Sequence, residues 1–133
     1  MATTTATLTL SSADLTGDAL SLSATATLAK AGLTDGLDQT TGVARKAYAT
    51  TQTNATLLDA ADFTDDKAHK VYIKNTSSTA SEFVKVTLGS TNVALGRLYA
   101  GDWALLPWDG AQDIDIDTSA ANMTVEYMVI YEA

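Results

Sequence analysis

The feature that most limits what this chain can fold into is a two-residue alternation of apolar and polar side chains. It recurs from one end of the sequence to the other. Ala6, Leu8 and Leu10 share a parity, with Thr7 and Thr9 between them. Leu20 and Leu22 share another, continued by Ala24, Ala26 and Leu28. Val71 and Ile73 alternate with Tyr72 and Lys74, and Val84, Val86 and Leu88 with Phe83, Lys85 and Thr87. Asp113 to Asp117 reads D-I-D-I-D, and Val125, Tyr127 and Val129 alternate with Glu126, Met128 and Ile130. A period of two places successive side chains on opposite faces of a strand, and an α-helix cannot use it. Turn-forming clusters separate these runs: Ser11–Gly17, residues 31–42, Thr64-Asp65-Asp66, residues 75–81, Ala100-Gly101-Asp102 and Asp109-Gly110. Pro107 cannot donate to a ladder and marks a strand end or a sheet edge.

The expectation is therefore an all-β chain, a β-sandwich or jelly-roll-like domain of about eight strands. At 133 residues it is a single domain. Residues 1–30 have light apolar content and read as an extended N-terminal arm with the first strands. Residues 31–133 read as the sandwich. The spacing also predicts a strand near 43–50 and a hairpin in which 69–75 pairs with 82–88.

Charge and composition narrow the function. The net charge is −8, which repels phosphate backbones and anionic lipid heads, so no nucleic-acid or membrane-surface partner is expected. No apolar run of about 18 residues is present. The segment MATTTATLTL lacks a basic stretch followed by an apolar one, so no secretory signal is expected. Without cysteine, disulfides and thiolate metal sites are impossible. Thr, Ala and Ser lose little rotamer freedom when a partner covers them, which suits a surface buried in an assembly.

Catalytic chemistry finds no foothold, and neither a catalytic, a metal nor a cofactor site is expected. His69 is the only histidine and reads as a surface residue at a strand start; it cannot build a multi-histidine metal site. No serine sits in a nucleophile-elbow motif, and no Gly-rich phosphate loop is present. Asp113, Asp115 and Asp117 share a strand face. They read as a solvated face, as a contact for a basic partner, or as a divalent-cation site, with the first favoured because strand geometry keeps the carboxylates from converging.

The remaining candidates are surfaces for a partner. Leu8 and Leu10 lie on the apolar parity of the arm. Arg45 and Lys46 form the only adjacent basic pair in their region, suited either to an acidic neighbour or to a charged strand edge. Trp103 and Trp108 flank Pro107, with Tyr99 near, and read as core packing or as a platform that stacks a sugar ring. Tyr127, Val129 and Tyr131 belong to a final strand apolar on both faces, expected to be central or covered by a partner.

Residues 96–133 carry a more specific pattern: Leu98-Tyr99-Ala100-Gly101-Asp102-Trp103, Pro107-Trp108-Asp109-Gly110, the alternating Asp113–Asp117 and Val125-Glu126-Tyr127. Together with residues 71–86, this resembles the C-terminal part of small structural proteins of tailed bacteriophages, including phages of cyanobacteria. About half of the chain is covered. The resemblance implies a virion component, a capsid decoration (cement) protein made in the host cytoplasm and located on the capsid surface. Its implied partners are the major capsid protein and further copies of itself, as a trimer of jelly-roll-like subunits that clamp capsomers against genome pressure. The alternative is a carbohydrate-binding head-fibre or tail module, with a glycan as partner.

Overall fold

The computed structural model describes residues 3–133; Met1 and Ala2, the start of the expected arm, lie outside the described residues. The chain is nearly all β, as its alternation predicts. β1 (Thr5–Ser12) and β2 (Leu20–Thr27) pair antiparallel with each other alone. The other strands are β3 (Gln39–Thr40), β4 (Ala44–Tyr48), β5 (Ala55–Leu58), β6 (His69–Asn75), β7 (Phe83–Leu88), β8 (Val93–Tyr99), β9 (Trp103–Trp108), β10 (Ile114–Thr118) and β11 (Met123–Tyr131). One sheet has the order β5-β10-β7-β8. The other has the order β3-β11-β6-β9, with β4 also paired to β11.

The two larger sheets meet face to face. Val84, Val86, Ile114, Ile116, Leu57 and Leu58 from the first pack with Val71, Ile73, Val125, Val129, Met123, Tyr48 and Trp108 from the second. Each fully buried aliphatic side chain stabilises the fold by about 1.5–3 kcal/mol. The alternation thus selects the inward face of every central strand. In β11, Val125 and Val129 point into the core. Met128 and Ile130 are half-buried on the opposite face.

Three expectations need correction. The strands number eleven among the described residues, because β3 and β5 are too short to leave an alternation. The 69–75/82–88 hairpin does not form: β6 pairs with β11 and β9, and β7 with β10 and β8. Both strands carry an apolar face, and in opposite sheets those faces bury one another. Alternation alone does not choose between this arrangement and a side-by-side pair, whose apolar faces one opposing sheet would cover. Lastly, the described part of the N-terminal arm is not extended. It folds back on itself with Leu10 opposite Leu22 and Leu8 opposite Ala24.

Asn75 makes the crossing from β6 to β7 possible. Its side chain is fully buried. Its Nδ2 donates to the carbonyls of Glu82 (3.2 Å) and Leu98 (3.0 Å), and its Oδ1 accepts from the N–H of Ser77 (3.0 Å). Its backbone exchanges bonds with the 101–102 turn, Asn75 N–H to Asp102 O and Gly101 N–H to Asn75 O, both at 3.0 Å. One side chain therefore ties the end of β6, the crossover and the end of β8.

The edge formed by β4 and β5 is closed. Lys46 Nζ donates across it to the Thr56 carbonyl, and Gln52 and Thr118 bond each other through Gln52 N–H to Thr118 Oγ1 and Thr118 N–H to Gln52 O. The opposite edge, between β8 and β9, is open. A cavity of about 590 Å³ there is lined by Leu88, Leu95, Leu106 and Ile114 among others.

Asp113, just before β10, and Asp115 and Asp117 within it lie on the outer face, but they are not a solvated row. Asp113 Oδ1 accepts from the N–H of Ala60 (2.8 Å) and Asp117 Oδ1 from that of Asn54 (2.7 Å). Asp115 is buried between its neighbours β5 and β7. Among the described residues no cluster of three metal-ligating side chains occurs. Burial pushes the Asp117 carboxyl upward. The Asn54 N–H and the Lys85 ammonium paired with it outweigh this and hold it below its ordinary 3.8.

Replacing Asn75 by Leu leaves buried carbonyls and an N–H unpaired, each costing about 1–3 kcal/mol. Urea denaturation should show a marked loss of stability with an unchanged slope. Because the folded Asp117 binds its proton more weakly than the unfolded one, its stabilisation is complete above pH 3.8 and is lost as pH falls through the depressed folded value. Thermal melts from pH 6 to pH 2 should fall less steeply for Asp117→Asn than for the parent chain.

Candidate partner-binding surface

The β1–β2 hairpin projects from the sandwich, and its register sorts every side chain but that of Ser12, which shares the leucine face opposite Leu20. Ala6, Leu8, Leu10, Leu20, Leu22, Ala24 and Ala26 share one face; Thr5, Thr7, Thr9, Ser11, Ser21, Ser23, Thr25 and Thr27 share the other. The apolar face is uncovered, with Leu8, Leu10 and Leu22 exposed at 41%, 44% and 45%. Neither strand contains a charged residue. Two strands alone are marginal in water, so this hairpin gains most from a surface that covers its leucines.

The hairpin closes through a short 3-10 turn, Leu15–Gly17. Ser12 Oγ accepts the N–H of Leu15 (3.1 Å), and Gly17 takes a φ of +85°, where a side chain would be strained. Asp14 and Asp18 flank this tip. At the other end, the root is pinned by Leu28 and Leu37, both buried. The Leu28 N–H bonds the Thr4 carbonyl and the Leu37 N–H the Leu28 carbonyl, each at 2.9 Å. Glu132, just past β11, grips the root from the body: its Oε2 accepts from Ala31 N–H (2.9 Å), and its Oε1 pairs with Lys67 Nζ (3.3 Å).

Root and body enclose a cleft of about 660 Å³. One wall is the lower half of the hairpin's apolar face, Ala6, Leu8, Ala24 and Ala26, with Leu28 at the root. The other is the outward face of β9, Trp103, Leu105 and Pro107, with Lys70 beside it. Pro107 is tolerated because β9 is an edge strand, paired only with β6. Trp103 is 55% exposed.

The structure divides the sequence candidates into two sets. Leu8 and Trp103 line this cleft, and Leu10 is exposed beyond it. Trp108 and Val129 are buried and not available to a partner, and Tyr127 and Tyr131 are half-buried. Trp108 and Val129 are core residues, because their parity points inward. Tyr127 and Tyr131 pack against that core. Trp108 also donates its Nε1–H to the Gln112 carbonyl (2.8 Å). Trp103 and Trp108 thus lie on opposite faces of β9 and make no joint stacking platform. Arg45 and Lys46 are exposed but already engaged. Arg45 Nε bonds Glu126 Oε2 (2.9 Å), whose other oxygen accepts from the Tyr72 hydroxyl (3.0 Å). Lys46 reaches Thr56 and lies over the Tyr48 ring. The Arg45 bond, with that of Tyr72, lowers the Glu126 carboxyl below its ordinary value.

His69, expected at the surface, is fully buried. Its ring sits among Phe63, Trp108 and Tyr131, with centroids 5.8–6.0 Å away. Nε2 faces the Thr64 carbonyl (3.0 Å) and Nδ1 accepts from the Glu132 N–H (3.4 Å), which assigns the ring proton to Nε2. Gly110 makes room for it: a Cβ there would lie 2.6 Å from the Thr64 carbonyl. The histidine is a packing residue that anchors the last strand. Sequence reasoning missed Leu20, Leu22, Leu105 and Lys70 as surface candidates. The parity of the first two signalled it, but only the cleft brings the other two beside the hairpin.

No protein-family model, no curated protein and no solved structure matches this chain.

Deleting the chain through Thr27 should leave a folded sandwich, since the core cluster draws only on residues beyond it. Circular dichroism should retain a cooperative melt. Binding of the apolar dye ANS should fall well below that of the full chain as the leucine face is removed.

Proposed function

We propose that this chain is a virion structural protein, a capsid decoration (cement) protein that binds the outside of a phage head and stabilises contacts between major capsid subunits. It acts by adhesion, not by catalysis. The observation that carries this reading is the projecting, uncharged hairpin with its uncovered leucine face. A surface of that kind belongs to a molecule that works in contact with others. The resemblance of residues 71–86 and 96–133 to small structural proteins of tailed phages supports the choice of a virion as the assembly. In this reading the sandwich is the jelly-roll-like body, several copies (a trimer) decorate each site, and the acidic surface keeps the free protein dispersed before it docks.

Co-sedimentation with empty heads of the phage that encodes the chain tests the reading. The full chain should pellet with the heads and raise the temperature at which they open. Heads that neither retain the protein nor gain heat resistance would refute it. The glycan reading would rest on the exposed Trp103 and Tyr99, since Trp108 is inside the core.

A further inference from the structure

We propose that the outer half of the hairpin of one copy seats in the cleft between hairpin root and β9 of the next, so that identical chains join head to tail and close into a ring. The proposal rests on the assembly reading above and adds which surfaces meet and what occupies the cleft.

Of the exposed large apolar side chains, Leu8, Leu10, Leu15, Leu20 and Leu22 lie on the hairpin and Trp103 and Leu105 on the outward face of β9; Val93, Leu95 and Tyr99 lie on β8, and Leu33 and Val43 in loops. The hairpin is itself divided. Its lower half forms a wall of the cleft, whereas Leu10, Leu20 and Leu22 lie beyond the cleft lining and face open water. Eight-residue strands are about 26 Å long, so the outer half reaches well clear of its own root. A plug and a socket on one molecule, at different places, make a heterologous contact, which forms rings when its rotation closes. The root fixed by Leu28, Leu37 and Glu132 gives that contact a set angle.

Charge selects a second copy as the occupant. With a net charge of −8, two copies repel wherever acidic faces meet. β1, β2 and β9 carry no charge at all, so contact through them avoids that repulsion. The exception is favourable. Lys70 beside the cleft bonds only the backbone carbonyls of Ala68 and His69, and no carboxylate pairs with it among the described residues. The hairpin tip presents Asp14 and Asp18. An incoming tip thus brings acid to an unpaired ammonium and leucines to an apolar slot.

Analytical ultracentrifugation with two surface variants tests the idea. The parent chain should form a discrete oligomer. The plug variant Leu10→Asp/Leu22→Asp and the socket variant Trp103→Asp/Leu105→Asp should each be monomeric, with a strand spectrum unchanged from the parent. Mixed in equal amounts, they should form a one-to-one dimer, because one intact plug and one intact socket remain and no further copy can add. Should the socket variant lose its fold, Trp103→Ala replaces it, with at least tenfold weaker self-association expected. A monomeric parent at its highest soluble concentration overturns the proposal. So does a socket variant that stays fully oligomeric, the result if two hairpins pack face to face, and so does a mixture that stays monomeric. Failure of the two readings is separable. A monomer that still coats empty heads removes the ring and keeps the decoration role. A ring that ignores heads does the reverse.

Discussion

The fold turns on sending β6 and β7, neighbours in sequence, into opposite sheets. A chain crossing between sheets must abandon one ladder before it joins the next, and its polar backbone groups need partners in between. Asn75 supplies them. Two carbonyls and an N–H from three segments converge on one buried amide, and the turn at 101–102 bonds the same residue's backbone. Once the crossing is fixed, Val71 and Ile73 face Val84 and Val86, and β9, β10 and β11 fall into place on either side.

The same economy governs the acidic residues. An outer face with three aspartates two residues apart looks, in a strand, like a repulsive row. Each of Asp113 and Asp117 instead receives a backbone N–H from the segment that wraps over β5, and Asp117 adds Lys85. The carboxylates fasten a short edge strand at both of its ends, on either side of the core residues Leu57 and Leu58. Glu132 does comparable work at the hairpin root, and Glu126 joins Arg45 to Tyr72 across the other sheet.

The strands and their inward faces were legible because each central strand turns every second side chain into the core. Val71, Ile73, Val84, Val86, Ile114, Ile116, Val125 and Val129 are all buried on the parity their spacing implies. Pairing was not legible. Alternation is identical for a strand beside its neighbour and a strand opposite it, and nothing in the run 75–81 announces that Asn75 will be an internal hub. The burial of His69 and Trp108 depends on Phe63 and Tyr131, distant in sequence, closing over them, and on Gly110 leaving space. For the surface, parity revealed Leu8 and Leu10. The aromatic pair Trp103 and Trp108 misled because proximity in sequence at odd spacing means opposite faces in a strand.

Glu132 lies one residue beyond the longest strand and holds the base of the projecting hairpin through Ala31. That strand, β11, is hydrogen-bonded along both flanks, to β3 and β4 on one side and β6 on the other. A pull on the tip is therefore delivered to the middle of the sheet, where many bonds share the load and must slide together, and not to an edge that could unzip one pair at a time. The protruding arm is mounted on the longest strand of the molecule, which is paired along both of its flanks.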